Sequence, residues 1–170
     1  MRKVVLLTVV LSMVSTLNTM AETPSNKNNI IKENSDKFWE QVMKTAPSIT
    51  VNELKALTDD KDANFLLLDV RTLEEYNQGH ISNAIYANRN FIEWFTPQIT
   101  QDPNIQIYVY CQVGARGADA TLSLLELGYK KVSNVRGGIQ EWANAGYPVY
   151  NKMGEFIFTK NGFVNFIPEE

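Results

Sequence analysis

Reactive and metal-binding side chains are scarce in this sequence, which contains one cysteine, Cys111, and one histidine, His80, in 170 residues. A single cysteine cannot form a disulfide within the chain. One histidine and one cysteine far apart in the sequence make a weak ligand set for a transition metal. The residues therefore imply no metal ion and no organic cofactor.

Positive charge is also limited. The 16 Lys and Arg residues are outnumbered by 19 Asp and Glu residues, so the formal net charge is -3. No segment concentrates the basic residues into a patch. This balance argues against nucleic acid and against anionic membrane surfaces as partners.

Long apolar runs are missing except near the amino terminus, where residues 4–14 are mostly apolar. This run is shorter than the roughly 20 residues that span a bilayer, which argues against the alternative of a retained membrane anchor. It follows Arg2 and Lys3 and precedes Ala21, in the pattern of a secretory signal peptide that is cleaved after Ala21. We therefore expect residues 1–21 to be removed and the mature chain to be periplasmic or secreted, without stable membrane insertion.

Residues 22–47 are predicted to lead into the main domain. Residues 22–34 are polar and rich in turn-forming types, which favours a flexible segment. Ser35 is the predicted N-cap of an amphipathic helix that ends at Ala46, before Pro47. The apolar face of this helix is expected to pack on the domain, with docking to a partner as the alternative.

From residue 48 to residue 150, strand patterns alternate with helix patterns. The predicted strands are residues 49–51, 65–70, 81–86, 105–110 and 131–135. The predicted helices are residues 52–58, 72–78 and 91–99, a helix that ends before Gly128, and residues 138–145. Asn52 and Thr72 are the predicted N-caps, and Pro97 is expected to stop its helix. Such alternation predicts an α/β domain with a central parallel sheet and helices on both faces.

The carboxyl ends of parallel strands are where such sheets form sites, and Asp69 and Cys111 both lie at predicted strand ends. Cys111 also faces the amino end of the next helix, where unpaired N-H groups and the helix dipole favour a thiolate nucleophile. Gly114 permits the intervening loop to curl, and Arg116 adds a cation. The alternative is that Cys111 is a small buried apolar residue without chemistry.

Four motifs in this order resemble a single rhodanese domain over about residues 48–150. They are D-V-R-T-L-E-E-Y-N-Q-G-H-I-S-N-A-I at 69–85, C-Q-V-G-A-R at 111–116, the helix end L-G-Y at 127–129, and V-R-G-G-I-Q-E-W-A-N-A-G-Y-P-V at 135–149. The resemblance implies a central parallel sheet and a cysteine that carries sulfur as a persulfide. The related loop of tyrosine phosphatases has one residue more between cysteine and arginine, so a phosphatase is a weaker interpretation.

The resemblance implies a sulfurtransferase in which the Cys111 thiolate takes sulfur from a small anionic donor such as thiosulfate and passes it to a thiol or cyanide. The loop residues would bind the substrate through their N-H groups, and the Arg116 side chain would attract it; these residues are Gln112, Val113, Gly114, Ala115 and Arg116. Asp69 and Arg71 are expected to support the loop, with a plain turn or cap role as the alternative for Asp69. The alternative function is a catalytically idle rhodanese module used for binding or regulation.

Four further positions and the carboxyl-terminal segment carry structural expectations. His80 lies in G-H-I-S-N-A and resembles the structural turn of the family, so we expect no catalytic base there. Asn83 stands where the family usually has glycine, and asparagine tolerates left-handed backbone. Gly137 and Gly138 are expected to let the backbone pass near the loop. Residues 151–170 are predicted to form a hairpin that turns at Asn161 and Gly162. Three roles are open for its phenylalanines: covering the sheet edge or the amino-terminal helix, contacting a partner, or forming one wall of the active-site mouth.

Overall fold

The computed structural model describes residues 24–158 and 164–166, with side chains for residues 29–158. The predicted signal peptide and the predicted turn at Asn161 and Gly162 lie outside the described residues. Contacts divide the chain into two units, residues 1–34 and 35–170. Within the described part, no helix is both long and apolar enough to cross a membrane.

The elements alternate along the chain as expected for an α/β domain. In chain order they are α1 (Pro24–Thr45), β1 (Ser48–Ile49), α2 (Val51–Asp59), β2 (Phe65–Asp69), α3 (Leu73–Gln78), β3 (Ile85–Tyr86), a 3-10 helix (Arg89–Phe91), α4 (Ile92–Ile99), β4 (Gln106–Tyr110), α5 (Ala115–Leu127), β5 (Lys131–Val135), α6 (Gly138–Asn144), β6 (Val149–Asn151), β7 (Gly154–Phe158) and β8 (Val164–Phe166). Helix α1 begins in the first unit and ends in the second.

Strands β1 to β5 form one parallel sheet in the order β1-β5-β4-β2-β3. Strand β4 therefore lies in the middle, with β2 on one side and β5 on the other. Asp69 at the end of β2 lies opposite Tyr110 at the end of β4. The predicted convergence of Asp69 and Cys111 at one sheet edge is thus confirmed.

Side chains of the central strands alternate between the two faces of the sheet, as a strand requires. On one face, Tyr108 and Tyr110 pack with α2 and α6 in a core that includes Trp142. On the other face, Val109 and Cys111 pack with α4 and α5. The prediction of a parallel sheet covered by helices on both faces is confirmed.

Two predictions about the first helices are wrong. Helix α1 begins at Pro24, not at Ser35, so residues 24–34 are helical rather than flexible; proline is tolerated in the first helical turn, where its missing N-H is not needed. Helix α2 is capped by Thr50, whose side chain accepts from the Glu53 N-H while Glu53 accepts from the Thr50 N-H. This reciprocal pair replaces the expected cap at Asn52.

One further boundary differs from that predicted. The strand expected over residues 81–86 is reduced to Ile85–Tyr86, because Asn83 adopts a left-handed conformation (φ 60°) that interrupts extended backbone. Helix α4 ends at Ile99, as predicted, and contains Pro97 two residues before its end. The Thr72 cap of α3 and the left-handed Asn83 are confirmed.

The carboxyl-terminal strands form a separate antiparallel sheet in the order β6-β7-β8. The predicted antiparallel pairing is confirmed for β7 and β8, and β6 adds a third strand. This sheet is joined to the α3–β3 loop because His80 and Tyr150 exchange backbone hydrogen bonds of 2.9 and 2.8 Å. Phe156 is buried in the same core as Trp142.

Candidate active site

Cys111 directly follows β4 and is only 1% exposed. Its sulfur accepts a hydrogen bond from the Gly114 N-H, with an N···S distance of 3.1 Å. Gly114 is the N-cap of α5 and has φ +107°, a left-handed conformation that bends the loop back onto the sulfur. The sulfur therefore lies at the amino end of α5, in contact with a backbone donor.

Helix α6 fixes the orientation of the peptide groups that flank Cys111. The Ile139 N-H donates to the Cys111 carbonyl at 2.9 Å, and the Gln140 N-H donates to the Gln112 carbonyl at 3.1 Å. A β-carbon on Gly138 would overlap the Cys111 carbonyl oxygen. The expectation that the backbone at Gly138 passes close to the loop is confirmed, and only glycine permits this approach.

Asp69 and Arg71 form a buried ion pair under the loop. The Arg71 Nη2 lies 2.7 Å from the Asp69 Oδ2 and donates to the Gly79 carbonyl at 2.6 Å. Burial lowers the pKa of Arg71, but the hydrogen bonds and charge of Asp69 outweigh burial, so the pKa is raised. The Arg71 guanidinium lies 5.8 Å from the centre of the Tyr110 ring. The pair thus contacts the residue before Cys111, and its role in supporting the loop stays a prediction.

Tyr110 links this pair to the turn that contains His80. Its hydroxyl oxygen accepts from the Ile81 N-H at 3.1 Å. Burial, and next the nearby Asp69 carboxylate, raise the pKa of Tyr110 well above its usual value. The phenol is therefore neutral at any physiological pH, and its hydroxyl group stabilises the turn at Ile81 through this hydrogen bond.

Arg116 has a partner that the sequence did not reveal. Its guanidinium makes two hydrogen bonds to the Glu75 carboxylate, of 2.8 and 2.9 Å. The hydrogen bonds from Arg116 lower the pKa of Glu75 to about 2 against the desolvation that raises it. The Cys111 sulfur also faces Arg116 and contributes to the raised pKa of that guanidinium after Glu75. Substrate binding by Arg116 stays a prediction. An anionic substrate would have to compete with the Glu75 carboxylate for the Arg116 guanidinium.

The active loop lies between two clefts. The hairpin cleft, about 360 Å³, is lined by Gln112 of the loop, by α3 and α6, and by Phe158 of β7. The β5 cleft, about 390 Å³, is lined by Val113 and Gly114 of the loop, by the end of α1, and by Arg136 after β5. Both clefts therefore reach residues that immediately follow Cys111.

Sequence reasoning missed several residues that the fold brings to the loop. Asn134 is buried on β5 next to Gly114 and Gly117, and its Oδ1 has no hydrogen-bond partner among the described residues. Glu75 was visible as the partner of Thr72 in a capping box, but its contact with Arg116 spans 41 residues of sequence. Only the three-dimensional fold reveals these neighbours.

His80 is placed away from the thiol chemistry. Its ring stacks on Tyr76 with the centroids 3.9 Å apart, and its Nδ1 lies 3.1 Å from the Tyr76 carbonyl oxygen. Its backbone joins β6. These contacts agree with the structural role expected for His80.

The fold and loop together define a class of α/β protein in which a buried cysteine follows a central parallel strand and lies at the amino end of the next helix. The model of the rhodanese-like domain matches residues 50–145. This chain therefore belongs to the rhodanese-like family.

Relatives of this chain include named sulfurtransferases. A sulfurtransferase of Allochromatium vinosum is 39% identical over 93 residues, covering 55% of this chain and 83% of that protein. Thiosulfate sulfurtransferase 18 of Arabidopsis thaliana is 33% identical over 114 residues, covering 60% and 82%. The solution structure of a rhodanese-like domain from Anabaena is 27% identical with a TM-score of 0.57, covering 62% of this chain and 79% of that one. Other matching relatives are named as hydroxylases or sulfur carriers, so the shared domain does not by itself define the reaction.

Proposed function

We propose that this protein is an exported sulfurtransferase that moves a sulfane sulfur from a small anionic donor to a thiol or cyanide through a persulfide on Cys111. The observation that carries the proposal is the hydrogen bond from the Gly114 N-H to the Cys111 sulfur at the amino end of α5. Export rests on the amino-terminal pattern of residues 1–21 alone.

The first half-reaction follows from this geometry. The Cys111 thiolate attacks the outer sulfur of a thiosulfate-like donor, the S-S bond of the donor breaks, and sulfite leaves with the electron pair of that bond. The outer sulfur remains on Cys111 as a persulfide anion, so charge and atoms balance. The Gly114 N-H, which already donates to the Cys111 sulfur, would stabilise that anion without reorganisation. A thiol only 1% exposed favours a compact donor over a bulky one.

The β5 cleft offers an approach for an anion. Arg136 and Lys44 line it, and Glu40 contributes one opposing charge. Arg136 is exposed and makes a side-chain hydrogen bond to Ser48 rather than a buried ion pair. Its charge also interacts with Glu53, but the guanidinium is exposed and can meet a donor that approaches Val113 and Gly114. This supports a small anion as the sulfur donor.

Incubation of the protein with thiosulfate is expected to add the mass of one sulfur atom to the chain. Intact mass spectrometry would detect the adduct, and cyanide would remove it. Cys111→Ser is the matched control, because it preserves the size of the side chain and removes the thiol. If Cys111 reacted with alkylating reagents but took sulfur from neither thiosulfate nor other sulfane donors, a binding module with a retained cysteine would become the better function.

Replacing Glu75 by glutamine is expected to raise the rate of loading by thiosulfate about two- to fivefold at low salt, the range of one exposed ion pair. The change frees Arg116 for the donor, while glutamine can keep the capping box with Thr72. Loading would be followed by intact mass against time.

Glu74→Gln is the control for this change, since Glu74 is exposed in the same helical turn. Both variants remove one negative charge, so they separate a specific effect on Arg116 from an effect of net charge. Equal rates in the two variants would show that Arg116 does not attract the donor.

A further inference from the structure

The carboxyl-terminal sheet is an addition to the rhodanese-like domain, since the family match ends at residue 145. It is nevertheless anchored beside α3. The Asn151 side chain donates to the Gln78 carbonyl at 3.2 Å, and Phe156 is 3% exposed against Gly79. Strand β7 is therefore held next to the segment that carries Arg71 and Glu75.

At the end of β7, Phe158 forms one wall of the hairpin cleft. Its ring is 44% exposed and lies edge-on to Phe156, with centroids 5.3 Å apart. Helix α6 and Gln112 of the active loop also line this cleft. The added sheet thus contributes an aromatic surface to an opening beside Cys111.

The charged side chains that the described residues contribute to this cleft are already paired. Arg71 is bound by Asp69, and Glu75 is bound by Arg116. The other polar side chains among these lining residues are carboxamides, supplied by Gln78, Gln112, Gln140 and Asn144. Each carboxamide both donates and accepts hydrogen bonds, as a peptide group does. The cleft is therefore suited to hydrogen bonding with peptide groups.

We propose that the hairpin cleft is the acceptor subsite and that it binds a thiol carried on a peptide, with Phe158 covering the bound chain. This inference rests on the proposed sulfurtransferase function and assigns the acceptor of its second half-reaction. The donor and the acceptor would then approach the loop from different sides.

The persulfide explains how a larger acceptor can react at a buried cysteine. Loading places the transferable sulfur about 2 Å beyond the Cys111 sulfur. A peptide thiol loses its proton to water, and its thiolate attacks this outer sulfur. The bond to Cys111 breaks, the cysteine leaves as a thiolate, and the peptide departs as a persulfide. No external oxidant or reductant is needed, because the sulfane sulfur keeps its oxidation state.

The test separates the two half-reactions. The full chain is loaded with thiosulfate, freed of donor by gel filtration, and mixed with either glutathione, a tripeptide thiol, or 2-mercaptoethanol, a thiol without peptide groups. The two are compared at equal thiolate concentration, since thiolate is the attacking species. Loss of one sulfur mass from the protein gives the transfer rate.

Two variants remove side chains that line the cleft. Phe158→Ala changes β7, and the double variant Gln140→Ala/Asn144→Ala changes α6. The matched controls are Met153→Ala, on the same added sheet, and Gln98→Ala on α4; both side chains are exposed and outside the cleft. The substituted α6 residues keep the backbone donors to the loop, so the double variant serves if Phe158→Ala fails to fold.

Glutathione is expected to react faster than 2-mercaptoethanol with the unmodified protein. Each cleft variant should lower the glutathione rate roughly three- to tenfold, the range of one or two lost hydrogen bonds or contacts, and leave the 2-mercaptoethanol rate unchanged. Equal rates for the two thiols, or equal losses for both in the variants, would overturn the acceptor subsite while leaving the persulfide carrier intact. Failure to load Cys111 at all would instead refute the proposed function, before any acceptor is added.

Discussion

Gly138→Ala is expected to lower the free energy of unfolding by about 3 kcal/mol and to abolish persulfide loading. The new methyl group would overlap the carbonyl oxygen of Cys111 and approach that of Gln112 at 2.7 Å. Both contacts are backbone atoms, which cannot move aside without displacing the loop. The hydrogen bonds from Ile139 and Gln140 that orient the loop would be broken together.

Gly146→Ala provides the control for backbone conformation. Gly146 also has a positive φ, +79° against +57° at Gly138, but a β-carbon there would meet nothing within 4 Å. Gly146→Ala should therefore lower the free energy of unfolding by only about 1 kcal/mol, from conformational strain alone. Urea unfolding of both variants gives the two free energies, and intact mass after thiosulfate gives loading. Similar costs for the two changes would show that the approach of Gly138 to the loop is not constrained.

Arg71→Met is expected to cost about 3 kcal/mol or more, because it leaves the Asp69 carboxylate buried without its partner. Asp69 is fully buried and Arg71 is 5% exposed. The variant also removes the donor to the Gly79 carbonyl, next to the attachment of the carboxyl-terminal sheet. Thermal unfolding would measure the loss.

Two comparisons test whether this cost comes from the uncompensated charge. Lys55→Met removes an ion pair with Asp59 that is largely exposed and should cost less than about 1 kcal/mol. The double variant Asp69→Leu/Arg71→Met should lose less than the sum of its single changes, since no unpaired charge remains. Strict additivity in this cycle would mean that Asp69 and Arg71 stabilise the domain independently.

Local sequence patterns were sufficient for the parallel sheet and for most of its helices. The α3 boundary was predictable because Thr72 and Glu75 form a capping box within four residues of chain. The same signature is present at Thr50 and Glu53, where it caps α2 in place of Asn52. Local signals of this kind suffice when the stabilising partners are close in sequence.

The candidate site was only partly predictable, because several of its contacts join residues that are distant in sequence. Cys111 and Gly114 carry their chemistry in one loop, so their contact could be anticipated. The carboxylate on Arg116 comes from another helix, and the aromatic wall of the hairpin cleft comes from a sheet beyond the family match. Such contacts depend on tertiary packing, which periodicity and turn signals do not encode.

The anchoring of the active loop by α6 has a consequence for synthesis of the chain. The carbonyl groups of the loop accept hydrogen bonds from the N-H groups of Ile139 and Gln140. Strand β1 pairs with β5 at Asn134 and Val135. Since these contacts join distant parts of the chain, they form late, after the ribosome has released the α6 segment. Until then the carbonyl groups of Cys111 and Gln112 lack the donors that orient them. A nascent or prematurely terminated chain therefore carries Cys111 in a loop that is not yet held in its final orientation, even where α4 and α5 already pack around the residue.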